Sequence, residues 1–191
     1  EIHQKITNVG TVEQEFMWGH HPAFGWPFID KDTYLSLAGT PKVTVLQGSQ
    51  NSPFSTPKTG IWPVLTGDKG QVVDMSRAYT HKDKIYMEYG ISELQEGCYE
   101  LRNKALGLGI RMHWDLSVFP YLWIWGMYCG HEGYPWFGRA YTMAVELWSS
   151  MPGDFKKASA EAKILKLGAG KSMKTEVTAE IFAFSSEKSL K

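Results

Sequence analysis

Three residues of this sequence have the chemistry and the surroundings to move protons: His20, His21 and Glu146. The histidines lie in Phe16-Met-Trp-Gly-His-His-Pro-Ala-Phe-Gly-Trp-Pro-Phe, among five aromatic residues and several backbone-restricting glycines and prolines. An imidazole titrates at about 6.5, so it gives or takes a proton near neutrality. Pro22 biases His21 to an extended backbone, which fixes its direction. Neighbours on an extended chain point to opposite faces, so His20 and His21 cannot readily chelate one metal together. The competing reading of the pair is structural, with both rings hydrogen-bonded in a turn. Glu146 ends the run Tyr141-Thr-Met-Ala-Val-Glu. On a strand it shares a face with Thr142 and Ala144, while Tyr141, Met143, Val145 and Leu147 form a packing face. A carboxylate on a face of small residues has room above it for a ligand; the alternative is a solvent-exposed face. An imidazole and a carboxylate aimed at one ligand make a general acid–base pair.

The setting of these groups is aromatic: 9 Phe, 8 Trp and 9 Tyr, densest from Trp114 to Trp148. Large rings usually belong to cores, and the period of two at Tyr121, Trp123 and Trp125 favours that for most of them. Trp and Tyr also stack on the apolar C–H faces of sugars. The polar row Arg111, His113 and Asp115 reads as the wet side of a sheet.

Other motifs fail. Gly168-Ala-Gly-Lys-Ser resembles the end of a phosphate loop, but Leu165 stands where the earlier glycine is required. His131-Glu132 opens a zincin-like pair that Pro135 breaks. Neither a metal nor a nucleotide site is supported.

The elements that must position these groups are strands. Short runs of period two recur between dense Gly and Pro punctuation: 43–47, 85–89, 110–116, 121–127, 141–147, 161–167 and 176–184. The last two flank Gly168-Ala-Gly-Lys-Ser, which predicts a hairpin. One stretch, 154–163, predicts about two helical turns with Asp154 as N-cap. The pattern is all-β, a sandwich or barrel. Residues 48–60 form a polar, proline-broken loop. Lys plus Arg equals Asp plus Glu at 20 each, which argues against nucleic-acid partners and polybasic membrane surfaces. The strongest apolar window, 116–127, is broken by Ser117 and Pro120 and is too short to span a membrane. Cys98 and Cys129 fit no disulfide framework and no zinc module, so they read as two lone thiols of a soluble, cytoplasmic chain.

Four segments together resemble one family. Trp18-Gly-His-His-Pro-Ala-Phe-Gly, Phe119-Pro-Tyr-Leu-Trp-Ile-Trp and Tyr141-Thr-Met-Ala-Val-Glu, with the closing Leu167-Gly-Ala-Gly-Lys-Ser, are similar in order and spacing to motifs of the aldose 1-epimerase (galactose mutarotase-like) superfamily. The resemblance implies an antiparallel β-supersandwich that interconverts the α and β anomers of free sugars without a cofactor. It implies His21 as general acid and Glu146 as general base, several ångströms apart with a pyranose between them. Substrate-facing rings are expected from Trp18, Trp26, Trp62, Trp123 and Trp136. Family domains are longer, so one domain lacking an N-terminal part of the fold is expected, with an exposed sheet edge on that side and a homodimer or a missing N-terminal chain covering it. Two readings compete with a mutarotase: a non-catalytic carbohydrate-binding β-sandwich and a partner-completed structural subunit.

Overall fold

In a computed structural model describing residues 1–48, 51–55, 57–151, 155–160 and 164–185, the chain is built almost entirely of strands. In chain order these are β1 (Ile2–Thr7), β2 (Gln14–Phe16), β3 (Gly19–His20), β4 (Ala23–Gly25), β5 (Thr33–Ser36), β6 (Lys42–Gly48), β7 (Lys58–Ile61) and β8 (Val64–Thr66). They continue with β9 (Val72–Asp74), β10 (Ile85–Ser92), β11 (Cys98–Asn103), β12 (Leu108–Trp114), β13 (Tyr121–Tyr128), β14 (Tyr141–Trp148), β15 (Leu165–Leu167) and β16 (Ser172–Ala183). Among the described residues helix is confined to α1 (Phe155–Ala160). The expected helix is therefore present in its middle; its N-cap Asp154 and residues 161–163 lie outside the described residues. Among the described residues no helix is long and apolar enough to cross a membrane.

Two antiparallel sheets carry the architecture. One runs β1-β16-β12-β11-β5; the other runs β3-β14-β13-β10-β6-β7, with β4 also pairing β14. The alternation of strand side chains decides what lies between them. From the larger sheet, Ile85, Met87, Tyr89 and Ile91 of β10 and Met143, Val145 and Leu147 of β14 are buried. From the smaller sheet, Tyr99 and Leu101 of β11 and Met112 and Trp114 of β12 join the same core. The Tyr99 hydroxyl reaches the Val145 carbonyl at 3.4 Å, so the two sheets touch directly. The smaller sheet's other face is the polar one: Arg111 pairs with Glu100 and Glu180, and His113 lies 3.9 Å from Cys98. Both cysteines are free thiols.

Buried Asn103 ties the connection after β4 to the smaller sheet. Its amide donates to the Phe28 carbonyl at 2.8 Å and to Asp30 Oδ1 at 3.0 Å, and its oxygen accepts from the Leu106 amide.

The predicted hairpin around Gly168 is not formed. The turn exists, with the Lys171 amide donating to the Gly168 carbonyl, but β15 pairs β2 while β16 lies between β1 and β12. The turn is held by Asn8, whose amide nitrogens and carbonyl bond Leu167, Lys171 and Gly170. Both sides of β16 are thereby claimed by partners far away in sequence. Its register with β1 ends at Val177, while its register with β12 continues to Ala183. Among the described residues the last six residues of β16 are paired on one side only.

Candidate functional site

The site lies on the face of the larger sheet turned away from the core. Tyr141, Met143, Val145 and Leu147 point inward, so Thr142, Ala144, Glu146 and Trp148 point to this face. Register brings Trp123 opposite Glu146, and Glu88 of β10 opposite Trp125. On this face the Glu146 side chain is only 6% exposed.

His21 reaches this face from the residue after β3. His20 pairs opposite inward-facing Leu147. Its ring packs edge-on against buried Phe119, and its Nε2 lies 3.0 Å from Gln4 Oε1. Burial holds His20 below the usual imidazole range. The next residue turns the other way, and His21 Nε2 lies 3.1 Å from Glu146 Oε1. The two are in direct contact, not several ångströms apart as the resemblance implied. The reason is electrostatic: a carboxylate taken out of water needs donors, and the half-exposed imidazole supplies one.

The other donor is Trp148, whose Nε1–H donates to Glu146 Oε2 at 2.8 Å. Burial raises the Glu146 carboxyl above its usual range, and the neighbouring charge of Glu88 pushes the same way; the Trp148 hydrogen bond and His21 oppose it. Glu146 is thus a carboxyl biased toward its neutral form, the direction in which a general base is tuned.

Rings wall the face. Trp123 and Trp148 are stacked with centroids 4.1 Å apart. Trp125 lies between His21, at 6.0 Å, and Trp136, at 5.2 Å. Of the five tryptophans expected here, Trp123 and Trp136 are therefore brought to the cluster. Trp18 is not: its ring packs edge-on against core Phe119 at 5.3 Å. Trp62 is not either, being 5% exposed within the core. Trp26 is 77% exposed in the turn after β4.

Sequence reasoning passed over Trp125, Trp148, Glu88, Tyr86 and His131. The Tyr86 hydroxyl donates to Glu88 Oε2 at 2.9 Å. The His131 ring packs edge-on to Tyr86, and its buried Nδ1 lacks a hydrogen-bond partner. Glu88 carried one available signal: its position in the alternation of 85–89 places it opposite the packing residues Met87 and Tyr89. The cluster of carboxylates and imidazoles offers proton transfer. The one grouping of three metal-ligating side chains among the described residues is Glu1, His3 and Glu176, all exposed and on another strand pair.

A polar cleft of about 720 Å³, lined in part by Ser55, Asp68, Asp74 and Arg77, lies away from this cluster. Its acids are already engaged: Asp68 accepts from Ser55, and Asp74 from Ser76 and Arg77. The Glu146 cluster is the better candidate because it joins a perturbed acid to an imidazole.

Among curated proteins, none matches the sequence. Solved structures do match in fold. An aldose 1-epimerase candidate from Klebsiella pneumoniae superposes with a TM-score of 0.69 at 16% identity, over 96% of this chain and 42% of that one. A galactose mutarotase related enzyme from Lactobacillus acidophilus gives 0.58 at 13% identity, over 98% and 59%. A galactose mutarotase-like protein from Clostridium acetobutylicum gives 0.58 at 14% identity, over 95% and 52%. The chain spans 42–59% of the length of these three structures. It has the galactose mutarotase-like fold, and it belongs to the family described as a domain of unknown function (DUF4432), whose model matches residues 1–181.

Proposed function

We propose that this chain binds an uncharged aldose on the tryptophan-walled face and interconverts its α and β anomers, with Glu146 as general base and His21 as general acid. The observation that carries the reading is the direct approach of His21 to a buried carboxylate on that face, 3.1 Å.

Ring opening removes a proton from the C1 hydroxyl and delivers one to the ring oxygen. Glu146 takes the first and His21 gives the second; rotation about C1–C2 in the open aldehyde and reclosure with the roles reversed complete the inversion. No cofactor is needed. A sugar entering the site displaces the His21–Glu146 contact. His21, 55% exposed, is the partner free to swing, whereas Glu146 is held. Trp123, Trp125 and Trp136 supply apolar ring surface for the pyranose. An uncharged sugar fits because, among the described residues, the charged groups acting on Glu146 are His21 and the like-charged Glu88.

A second reading is supported by the same contact. A closed His21–Glu146 pair fills the gap a sugar would occupy, which suits a carbohydrate-binding module without turnover. Anomer exchange measured by NMR on a panel of aldoses separates the two. Binding without acceleration above the buffer rate would leave only the binding module; acceleration lost in Glu146→Gln supports the mutarotase.

A further inference from the structure

The indole of Trp148 is clamped from both sides. Trp123 stacks on one side, 4.1 Å away and within 14° of parallel. On the other side runs the backbone of Gly19, the residue paired with Trp148 across β3 and β14. A methyl group added at Gly19 would stand 2.3 Å from Trp148 Cδ2, so the ring occupies the space that any other residue type would fill. The flanking ring and the flanking backbone are themselves pinned. Trp123 Nε1 donates to the Ser150 carbonyl at 2.6 Å. The Trp18 amide donates to Ser149 Oγ, and the Ser149 amide to the Trp18 carbonyl, each at 2.9 Å.

The only polar atom of this clamped ring points along the strand to Glu146, two residues back on the same face. Residues i and i+2 of a strand are about 6.6–6.8 Å apart, a span that an indole can bridge. Glu146 therefore has one oxygen fixed by a rigid donor and the other, Oε1, turned to His21.

We propose that Trp148 is a positioning residue for the general base: Gly19 and Trp123 fix the indole, and its N–H fixes Glu146 Oε2 so that Oε1 alone meets the reacting hydroxyl. This rests on the reading of Glu146 as the base. A hydrogen bond to the charged form favours ionisation, so the same contact keeps a buried carboxyl usable as a base at neutral pH. The charged groups facing this carboxylate from neighbouring segments are His21, after β3, and Glu88 of β10.

The test is Trp148→Phe, which keeps a stacked ring and removes the N–H. Two readouts are followed: the pH profile of anomer exchange, and the ¹³C titration of the Glu146 carboxyl, which needs no activity. The expected result is a titration and an acid limb both moved to higher pH, with kcat at neutral pH lower by about 10-fold and KM little changed. An unmoved titration in a folded Trp148→Phe protein overturns the proposal. Should that variant not fold, the wild-type protein still decides: the Trp148 indole proton resonance must shift with the Glu146 titration, and a pH-independent resonance overturns it. Full anomer exchange in Glu146→Gln would instead sink the base assignment, and the titration would still judge the contact separately.

Discussion

His21 Nε2 stands 3.1 Å from Glu146 Oε1, and the two side chains are unequal there: 6% of the carboxylate side chain is exposed against 55% of the imidazole. Burial, the largest influence on Glu146, favours its protonated form. The sign for stability follows. A carboxyl whose folded-state pKa lies above its ordinary 4.5 contributes stability that is full below that value and is lost as pH rises through the folded-state value. Glu146→Gln removes that loss. Its melting temperature should therefore gain on wild type as pH rises from 4.5 to 8, at about 2–4 °C per kcal/mol for a chain of this size. Anomer exchange should fall by about 10²–10⁴-fold. Calorimetry at the two pH values checks the first half; a melting-temperature difference, variant minus wild type, that falls with rising pH would contradict it.

The adjacent histidines should separate rate from stability. His21→Asn should lower exchange by about 10²–10⁴-fold and leave the fold nearly intact. His20→Asn should keep most of the rate and lose about 0.5–1.5 kcal/mol, since it gives up the Gln4 hydrogen bond and the Phe119 contact. Equal rate losses for the two variants would show the pair to be structural.

His20 also has a pH signature of its own. Burial lowers its pKa below 6.5, so the fold prefers the neutral ring. Stability is then lost as pH falls from 6.5 through the folded-state value, because the unfolded chain binds the proton first. Wild type should lose more stability than His20→Asn between pH 7 and pH 5 in urea titrations. Parallel curves would rule this out.

Substrate charge should matter. Glu146 and Glu88 face one another's field on the candidate surface. An aldose phosphate should be processed at least about 10-fold less well than the free aldose at low salt, because like-charge juxtaposition is costly. The gap should shrink as salt screens it. Competition kinetics at 10 and 500 mM salt (about 30 and 4 Å of screening length) would read the difference; preference for the phosphate would refute it.

Asn103→Ala should cost about 1–3 kcal/mol, the range for stranding buried polar partners. It leaves the Leu106 amide and Asp30 Oδ1 without the Asn103 bond and the Phe28 carbonyl with the Thr33 hydroxyl alone. Chemical denaturation measures it, and a loss under 0.5 kcal/mol would mean that water replaces the amide.

Much of this arrangement was legible along the chain. Period two at 85–89, 110–116, 121–127 and 141–147 found β10, β12, β13 and β14, because a strand with one packed face must alternate. The opposite aims of His20 and His21 came from the same rule, as did the inward set Met143, Val145 and Leu147. What stayed hidden depends on contacts distant in sequence. Glu88 meets the site only through β13, and that register is set by pairing. Trp18 and Trp62 carry no mark that separates them from the tryptophans of the candidate face, yet sheet stacking packs Trp18 against the core and puts Trp62 inside it. The turn at Gly168 was visible, but β15 and β16 each found a better partner elsewhere. The His21–Glu146 distance is a matter of side-chain rotamer, which no spacing rule encodes.

The one-sided pairing at the end of β16 has a dynamic consequence. Successive backbone amides of a strand point alternately to its two neighbours. Along 172–176 only the amides aimed at β1 face a paired strand, Val177 is paired with both strands, and along 178–183 only the amides aimed at β12 do. Deuterium uptake should therefore alternate on either side of Val177, with the protected amides aimed at β1 before it and at β12 after it. Over 178–183 it should run as a two-residue comb, every other amide exchanging at nearly the rate of an open chain. That comb would vanish once any added strand came to lie alongside, so the exchange pattern of six residues reports directly whether this edge is occupied.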